Sequence, residues 1–265
     1  MRTRNRLVAA GLALLVSVPA VAEEPVRLFA AGSLRAVMTE IGQAYAKSGG
    51  GPVQGEFGPS GLLRDRLAKG ERADVFASAN MEHPASLAAA GRAGPVTAFA
   101  RNRLCALVAP GLAVTTDTLL DRMLDPGVKL GISTPKADPS GDYALELIAK
   151  AEARRAGARA VLEEKAQKLT GGPDSPPPPK DRSVYGILVA GRKADIFLTY
   201  CTNAKAARDE NPALAIIAVP ASLAVGANYG LTVLADAKPA ATQFAQFVLS
   251  ADGQRILARH GFDAP

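Results

Sequence analysis

The chain has 265 residues with 31 Lys and Arg against 25 Asp and Glu, a net charge of +6, and two cysteines. That length holds one large domain or two of ordinary size. The mild positive balance argues neither for nor against nucleic acid, but no block of Lys or Arg suggests a phosphate-tracking surface, and no nucleic-acid partner is expected.

Arg2, Arg4 and Arg6 precede an apolar run over residues 7–18, and Ala20-Val21-Ala22 follows with small residues where a signal peptidase reads. A basic stretch, about a dozen apolar residues and an A-x-A site predict a secretory signal peptide over 1–22, cleaved after Ala22. The run is too short for a membrane anchor, which needs about 20 apolar residues, and no cysteine at the cleavage point offers a lipid attachment. Its removal takes three arginines and no acids, leaving 243 residues and a charge of +3. The expected location is the periplasm.

Residues 26–30 read as a strand, Ala31-Gly32-Ser33 as a turn, and Leu34, Val37, Met38, Ile41 and Tyr45 as the apolar stripe of a helix. The same order repeats: a strand at 53–57, a Gly-Pro-Ser-Gly turn at 58–61, a helix at 62–69, a strand at 74–78 and a helix after Met81. Strand, turn, helix in repetition predicts a parallel α/β sheet. A β-like run at 97–109 ends in Pro110-Gly111, after which the pattern restarts. A helix is expected near 116–123, a strand at 129–133, a helix from about 141 to 156 and another to about 169. Four prolines at 176–179 exclude helix and central strand and predict a stiff, extended loop. A helix at 184–191, strands at 195–199, 215–219 and 229–234, and helices at 239–250 and 252–260 complete the chain.

In an exported protein an even number of cysteines favours a disulfide. Cys105 leaves the first unit and Cys201 follows a strand of the second, so the pair is expected to be bridged; two buried free thiols are the alternative. Two cysteines with His83 and His260, lacking short ligand spacing, do not make a zinc motif.

Ser33 and Ser60 each stand beside a glycine where a strand passes into a helix, and Ser140 and the Ser183-Val184 pair open further helices. A serine at such a place is ordinarily an N-cap, contributing about 1 kcal/mol. Several helix starts at the carboxyl edge of a parallel sheet also form an anion site from backbone N–H groups and hydroxyls, with no lysine needed. An enzyme is the competing class. Gly58-Pro59-Ser60-Gly61-Leu62 breaks the G-x-S-x-G spacing of a nucleophile elbow, and neither phosphate-loop nor dinucleotide motifs occur. No enzymatic role and no cofactor are expected. An exported serine hydrolase stays the alternative outside the binding class. An iron carrier would need tyrosine, histidine or carboxylate ligands grouped at the cleft, and adjacent tyrosines are absent.

Residues 26–34 (VRLFAAGSL), 56–62 (EFGPSGL) and 73–79 (ADVFASA), in this order and spacing, resemble the periplasmic molybdate-binding proteins of ABC importers. The runs 139–144 (PSGDYA), 191–200 (GRKADIFLTY) and 259–262 (RHGF) extend the likeness over nearly the whole mature chain. It implies a two-lobed periplasmic-binding-protein fold, α/β, each lobe a mostly parallel sheet flanked by helices, with two hinge crossings near 104–107 and 219–229. The lobes are expected at 23–104, 105–226 and, returning to the first lobe, 227–265. It implies hydroxyl and amide donors at Ser33 and Ser60, backbone amides at Ser140 and Val184, and a hydroxyl at Tyr200. The implied ligand is molybdate or tungstate, with another small anion as the alternative. The implied partners are the permease subunits of an importer, served by a monomer. Three departures stand out: Ser140 where alanine is common, Cys201 after the tyrosine, and the tetraproline run ahead of Val184. Tyr143 is expected to pack rather than bind, and Asp74 and Asp195 to serve as turn or cap residues. A donor-only pocket suits a fully deprotonated oxyanion, whereas a carboxylate would favour a protonated one, and none of the expected ligand positions is acidic.

Overall fold

In the computed structural model, residues 24–177 and 182–265 are described. The expected signal peptide and part of the tetraproline run lie outside them. The chain opens with β1 (Val26–Ala31), a 3-10 turn (Gly32–Leu34), α1 (Arg35–Lys47), β2 (Val53–Gly58), α2 (Ser60–Ala68), β3 (Val75–Ser78) and α3 (Glu82–Ala89). The long strand β4 (Thr97–Val108) leads to α4 (Leu119–Leu124), β5 (Leu130–Ser133), α5 (Pro139–Ala151), α6 (Ala158–Lys165) and β6 (Gln167–Thr170). Then come α7 (Val184–Ala190), β7 (Ile196–Tyr200), α8 (Cys201–Glu210), β8 (Ala215–Ala218), a 3-10 turn (Ala221–Leu223), β9 (Gly226–Val233), α9 (Pro239–Leu249) and α10 (Ala251–Arg259).

The strand order is β2-β1-β3-β9-β4-β7-β5-β6, with β8 also on β4. β1 pairs in parallel with β2 and β3, and β9 runs antiparallel between β3 and the first half of β4. From Leu104 onward β4 changes partners and pairs antiparallel with β7 and, from Cys105, with β8. β7, β5 and β6 are then mutually parallel along the order. One strand therefore belongs to both lobes, and β9 carries the chain back to the first.

Alternation along β1 shows how each sheet is covered. Leu28 and Ala30 pack with Ile41 and Tyr45 of α1 and Phe244 and Val248 of α9, while Phe29 between them joins Leu63, Leu67, Phe76 and Leu87 on the other face. Period-two strands sandwiched by helices need apolar residues on both faces. In the second lobe Leu130, Ile132 and Leu198 meet Leu147 and Ile148 of α5, and Leu107 and Phe197 meet Val189, Ala204 and Ala207 of α7 and α8. Asp74 and Asp195 have matching structural jobs: Asp74 accepts the Arg27 amide at 2.7 Å and Asp195 the Lys129 amide at 2.9 Å, each fastening the start of a neighbouring strand.

Two elements depart from the sequence reading. Residues 167–170, read as the end of a helix, form edge strand β6 beside β5, and a helix not anticipated, α8, follows Tyr200 directly. The polar run 201–210 has only Ala204 and Ala207 buried, so its apolar stripe is too narrow to register as periodicity. Among the described residues no helix is long and apolar enough to cross a membrane.

Cys105 on β4 and Cys201 at the start of α8 are joined by a disulfide spanning 96 positions of sequence. Both cysteines lie beyond the point where β4 changes partners, so the bond ties α8 to its own lobe. Replacing both cysteines by serine is expected to cost about 2–4 kcal/mol, measured as a lower urea midpoint; an unchanged midpoint would refute that role.

Candidate functional site

A cavity of about 1060 Å³ opens where the helix starts of both lobes converge, and Ser33, Ser60, Val184 and Tyr200 lie on its wall. Each arrives there by local chain chemistry. Ser33 is in the 3-10 turn after β1, Ser60 is the first residue of α2, Val184 the first of α7, and Tyr200 the last of β7.

The serine hydroxyls are held by neighbouring groups. Ser60 is 1% exposed, and its oxygen accepts the Ala79 amide at 3.1 Å. An oxygen that accepts from a fixed amide leaves its own hydrogen free to donate. Ser33 Oγ lies 3.0 Å from Tyr229 Oη. Tyr229 Oη also accepts from Asn102 Nδ2 at 3.4 Å; either hydroxyl can donate in the Ser33–Tyr229 pair, and when Tyr229 does, the Ser33 proton is available to the cavity. Asn102 Nδ2 also donates to Thr202 Oγ1 of α8 at 2.9 Å, so this network crosses between lobes.

Tyr200 differs from these. It is 1% exposed, and its hydroxyl has no hydrogen-bond partner. Leaving such a group unpaired costs about 1–3 kcal/mol, and an acceptor placed in the cavity would satisfy it. Burial, with the neighbouring Tyr229 next, holds its pKa far above that of free tyrosine, so at neutral pH it is a hydrogen-bond donor. Its ring is fixed between Tyr143, at 6.3 Å between centroids, and Tyr229, at 5.6 Å. Val184 follows Ser183, whose hydroxyl accepts the Gly186 amide at 3.2 Å and whose own amide is spent on Glu210 at 2.7 Å.

Ser140 is not on the cavity wall. It is fully buried, its hydroxyl has no partner, and its amide donates to Asp138 Oδ1 at 3.0 Å. Asp138 is the residue from this segment that lines the cavity, and it was missed. Its signal was present in the sequence: Asp-Pro ahead of a helical run is the N-cap and N1 pair that starts a helix, and α5 begins in that way. The expectation of a cavity with no acidic group is therefore corrected. Burial pushes the Asp138 carboxyl up to about 6, against the opposing pull of the Ser140 amide.

Cations stand on the wall but are engaged. Arg182 pairs with Glu210 and Lys205 with Asp209, Arg259 with Glu40, and Arg35 lies over the Phe57 ring with one nitrogen 3.3 Å from the Phe57 carbonyl. Arg64 pairs with Asp65 and faces a second, smaller cleft. His260 is bound to Glu40 at 2.7 Å, and His83 lies in the second cleft, where burial and then Arg64 lower its pKa. The Ser33 and Ser60 hydroxyls are thus bonded to a tyrosine and an amide, not to histidine. Among the described residues no group of His, Cys, Asp and Glu could hold a metal ion.

The lobes meet beside the cavity. The Gly61 amide donates to the Ala137 carbonyl at 2.8 Å, and a Cβ on Gly61 would lie 2.3 Å from the Lys136 carbonyl oxygen. Only glycine allows this approach.

Two α/β lobes sharing one strand, with helix starts and hydroxyls around an interlobe cavity, define the class of two-lobed periplasmic binding proteins. The chain belongs to the family of bacterial extracellular solute-binding proteins, whose pattern matches residues 26–263. The uncharacterized protein PM1146 of Pasteurella multocida is 40% identical over 206 residues, 77% of this chain and 85% of its own. The molybdate-binding protein ModA of Mycobacterium bovis is 30% identical over 244 residues, 90% of this chain and 84% of its own. The solved periplasmic molybdate-binding protein of Azotobacter vinelandii shares the fold, with a TM-score of 0.72 at 17% identity over 91% of this chain and 99% of that one.

Replacing Gly61 by alanine is expected to push the lobes apart without unfolding either. Small-angle scattering should report a larger radius of gyration at an unchanged circular dichroism spectrum. A radius equal to that of the parent would show that the contact does not set the lobe spacing.

Proposed function

We propose that this chain captures a tetrahedral oxyanion outside the cytoplasm, molybdate first and tungstate with it, and delivers it as a monomer to the permease of an ABC importer. The reading includes export through removal of residues 1–22 and lobes bounded at 104/105 and 226/227. The observation that carries it is the Tyr200 hydroxyl, buried and without a partner on a wall that also holds the Ser33 and Ser60 hydroxyls. A deprotonated oxyanion has only acceptors, and neutral donors meet them without the cost of burying a lysine or arginine. The molybdate-binding relative supports the choice of anion. Ser33 and Ser60 would contribute from the first lobe, Tyr200 and the Val184 amide from the second. Ser140 would act through Asp138, not by direct contact.

A hydrogen bond to a charged partner contributes about 1.5–3 kcal/mol, and each 1.4 kcal/mol is tenfold in affinity. Ser33→Ala, Ser60→Ala and Tyr200→Phe are each expected to weaken molybdate binding roughly ten- to a hundredfold in calorimetry. Arg35→Gln and Arg64→Gln should change it far less; loss of binding in the arginine variants alone would make the site a charge clamp and overturn the reading.

A ligand bridging the two lobes should also favour the closed form. Scattering at saturating molybdate is expected to show a radius of gyration no larger than without it, and a narrower spread of the Gly61→Ala variant toward the parent value. Expansion on binding would contradict capture between lobes.

A further inference from the structure

The cavity wall holds one carboxyl group that a donor-only site does not explain. Asp138 is fixed as the N-cap of α5 by the Ser140 amide, on the same cavity wall as Ser33, Ser60 and Tyr200. None of the cations on that wall is paired with it: Arg182, Lys205 and Arg259 are bound to Glu210, Asp209 and Glu40. An ionised carboxylate facing a bound dianion would repel it, and two anions sharing one site do not both keep their charge. In its acid form the same group is a donor, as Tyr200 is.

Resting on the oxyanion reading above, we propose that Asp138 is a ligand-facing, selectivity-determining group that donates a hydrogen bond to the captured oxyanion as a neutral acid, so that each dianion bound near neutral pH brings one proton with it. Burial favours that form and outweighs the Ser140 amide and the Ser133 side chain of β5, which pull toward the ionised one. Asp142 of α5 faces it with like charge, and Tyr185 of α7, Tyr200 of β7 and Tyr229 of β9 lie close enough for its charge to raise theirs. All three tyrosines are held well above the ordinary range, by burial first, so they remain neutral while Asp138 titrates. Burial already brings the Asp138 pKa to about 6 in the unliganded protein, and an arriving dianion raises it further.

The sign follows from linkage. Above the unliganded pKa the carboxyl must be protonated for binding, so affinity falls as pH rises, by up to tenfold per unit; below it, affinity levels off. Calorimetry of the full mature protein with micromolar molybdate, and separately with sulfate as a tetrahedral dianion that does not take up a proton in this range, is run from pH 5.5 to 8.5 in buffers of differing ionisation enthalpy. The parent should weaken by roughly ten- to a hundredfold between pH 6 and 8 with close to one proton taken up per anion. Asp138→Asn, which keeps the helix cap, should bind at pH 8 at least as tightly as the parent, with no slope and no proton uptake. Histidine as a residue type titrates in the same interval, so His260→Gln serves as the control and should retain the slope.

A flat profile in the parent, a slope that survives in Asp138→Asn, or loss of the slope in His260→Gln would each overturn the proposal. So would a parent that prefers hydrogen phosphate to sulfate and loses that preference in Asp138→Asn, since the carboxylate would then be an acceptor. Binding of sulfate but not molybdate, with the slope intact, would remove molybdate as ligand and leave the role of Asp138 standing. If neither anion binds at any pH, both readings are overturned.

Discussion

Strand β4 changes hydrogen-bonding partners at a single point along its length, and the rest of the molecule is arranged around that change. Its first half is held by β9 and its second by β7 and β8, so neither lobe has a complete sheet without it. A strand cannot slip by one residue without turning its apolar side chains to the wrong face. Phe99 and Ala100 on one side of the change and Ala106, Leu107 and Val108 on the other are all fully buried, which locks the register of both sheets at once. The disulfide lies on the second side of that point, stiffening one lobe while leaving the partner change itself free of covalent restraint.

The cleft follows from this arrangement. Parallel strands place the starts of the following helices at one edge of the sheet, where unsatisfied N–H groups collect. Because the two sheets are joined through β4, the two edges confront each other across the cavity. The chain then supplies hydroxyls at those starts rather than ammonium or guanidinium groups, while the cations near the mouth are paired with carboxylates or stacked on Phe57. Water shares in the solvation of the exposed Arg182, Lys205 and Arg259 side chains, while the neutral Ser60 and Tyr200 are buried. Asp138 is the exception on the cavity wall, a carboxyl whose burial raises its pKa to about 6.

The Gly61–Ala137 contact shows a second constraint at the same place. A backbone hydrogen bond between lobes requires two main chains to approach without side chains between them, and Gly61 permits that while remaining the second residue of a helix. The Asn102–Thr202 bond is a second contact between the lobes, joined on the first-lobe side through Tyr229 to Ser33.

Much of this was legible in the order of residues. The alternation of Leu28, Phe29 and Ala30, the stripe of Val37, Met38, Ile41 and Tyr45, and the Gly-Ser junctions at 32–33 and 60–61 are local patterns, and local patterns specify strands, helices and their starts. Positions of Ser33, Ser60, Val184 and Tyr200 at element ends could be read for the same reason. Residues 167–170 could not be read as a strand, because an edge strand has only one pairing neighbour and no apolar alternation of its own. Nor could α8, whose buried face is two alanines. The direction a side chain takes after a helix has begun also depends on what closes over it: Asp138 and Ser140 are two residues apart, equally plausible in sequence, and only the packing of α5 against β5 and the second lobe puts the carboxyl on the cavity wall and the serine behind it. Sequence determined the elements and the ends where hydroxyls and free amides collect; the tertiary structure decided which of those groups line the cavity, because facing is a relation between two lobes that the chain joins only after crossing from one to the other and back.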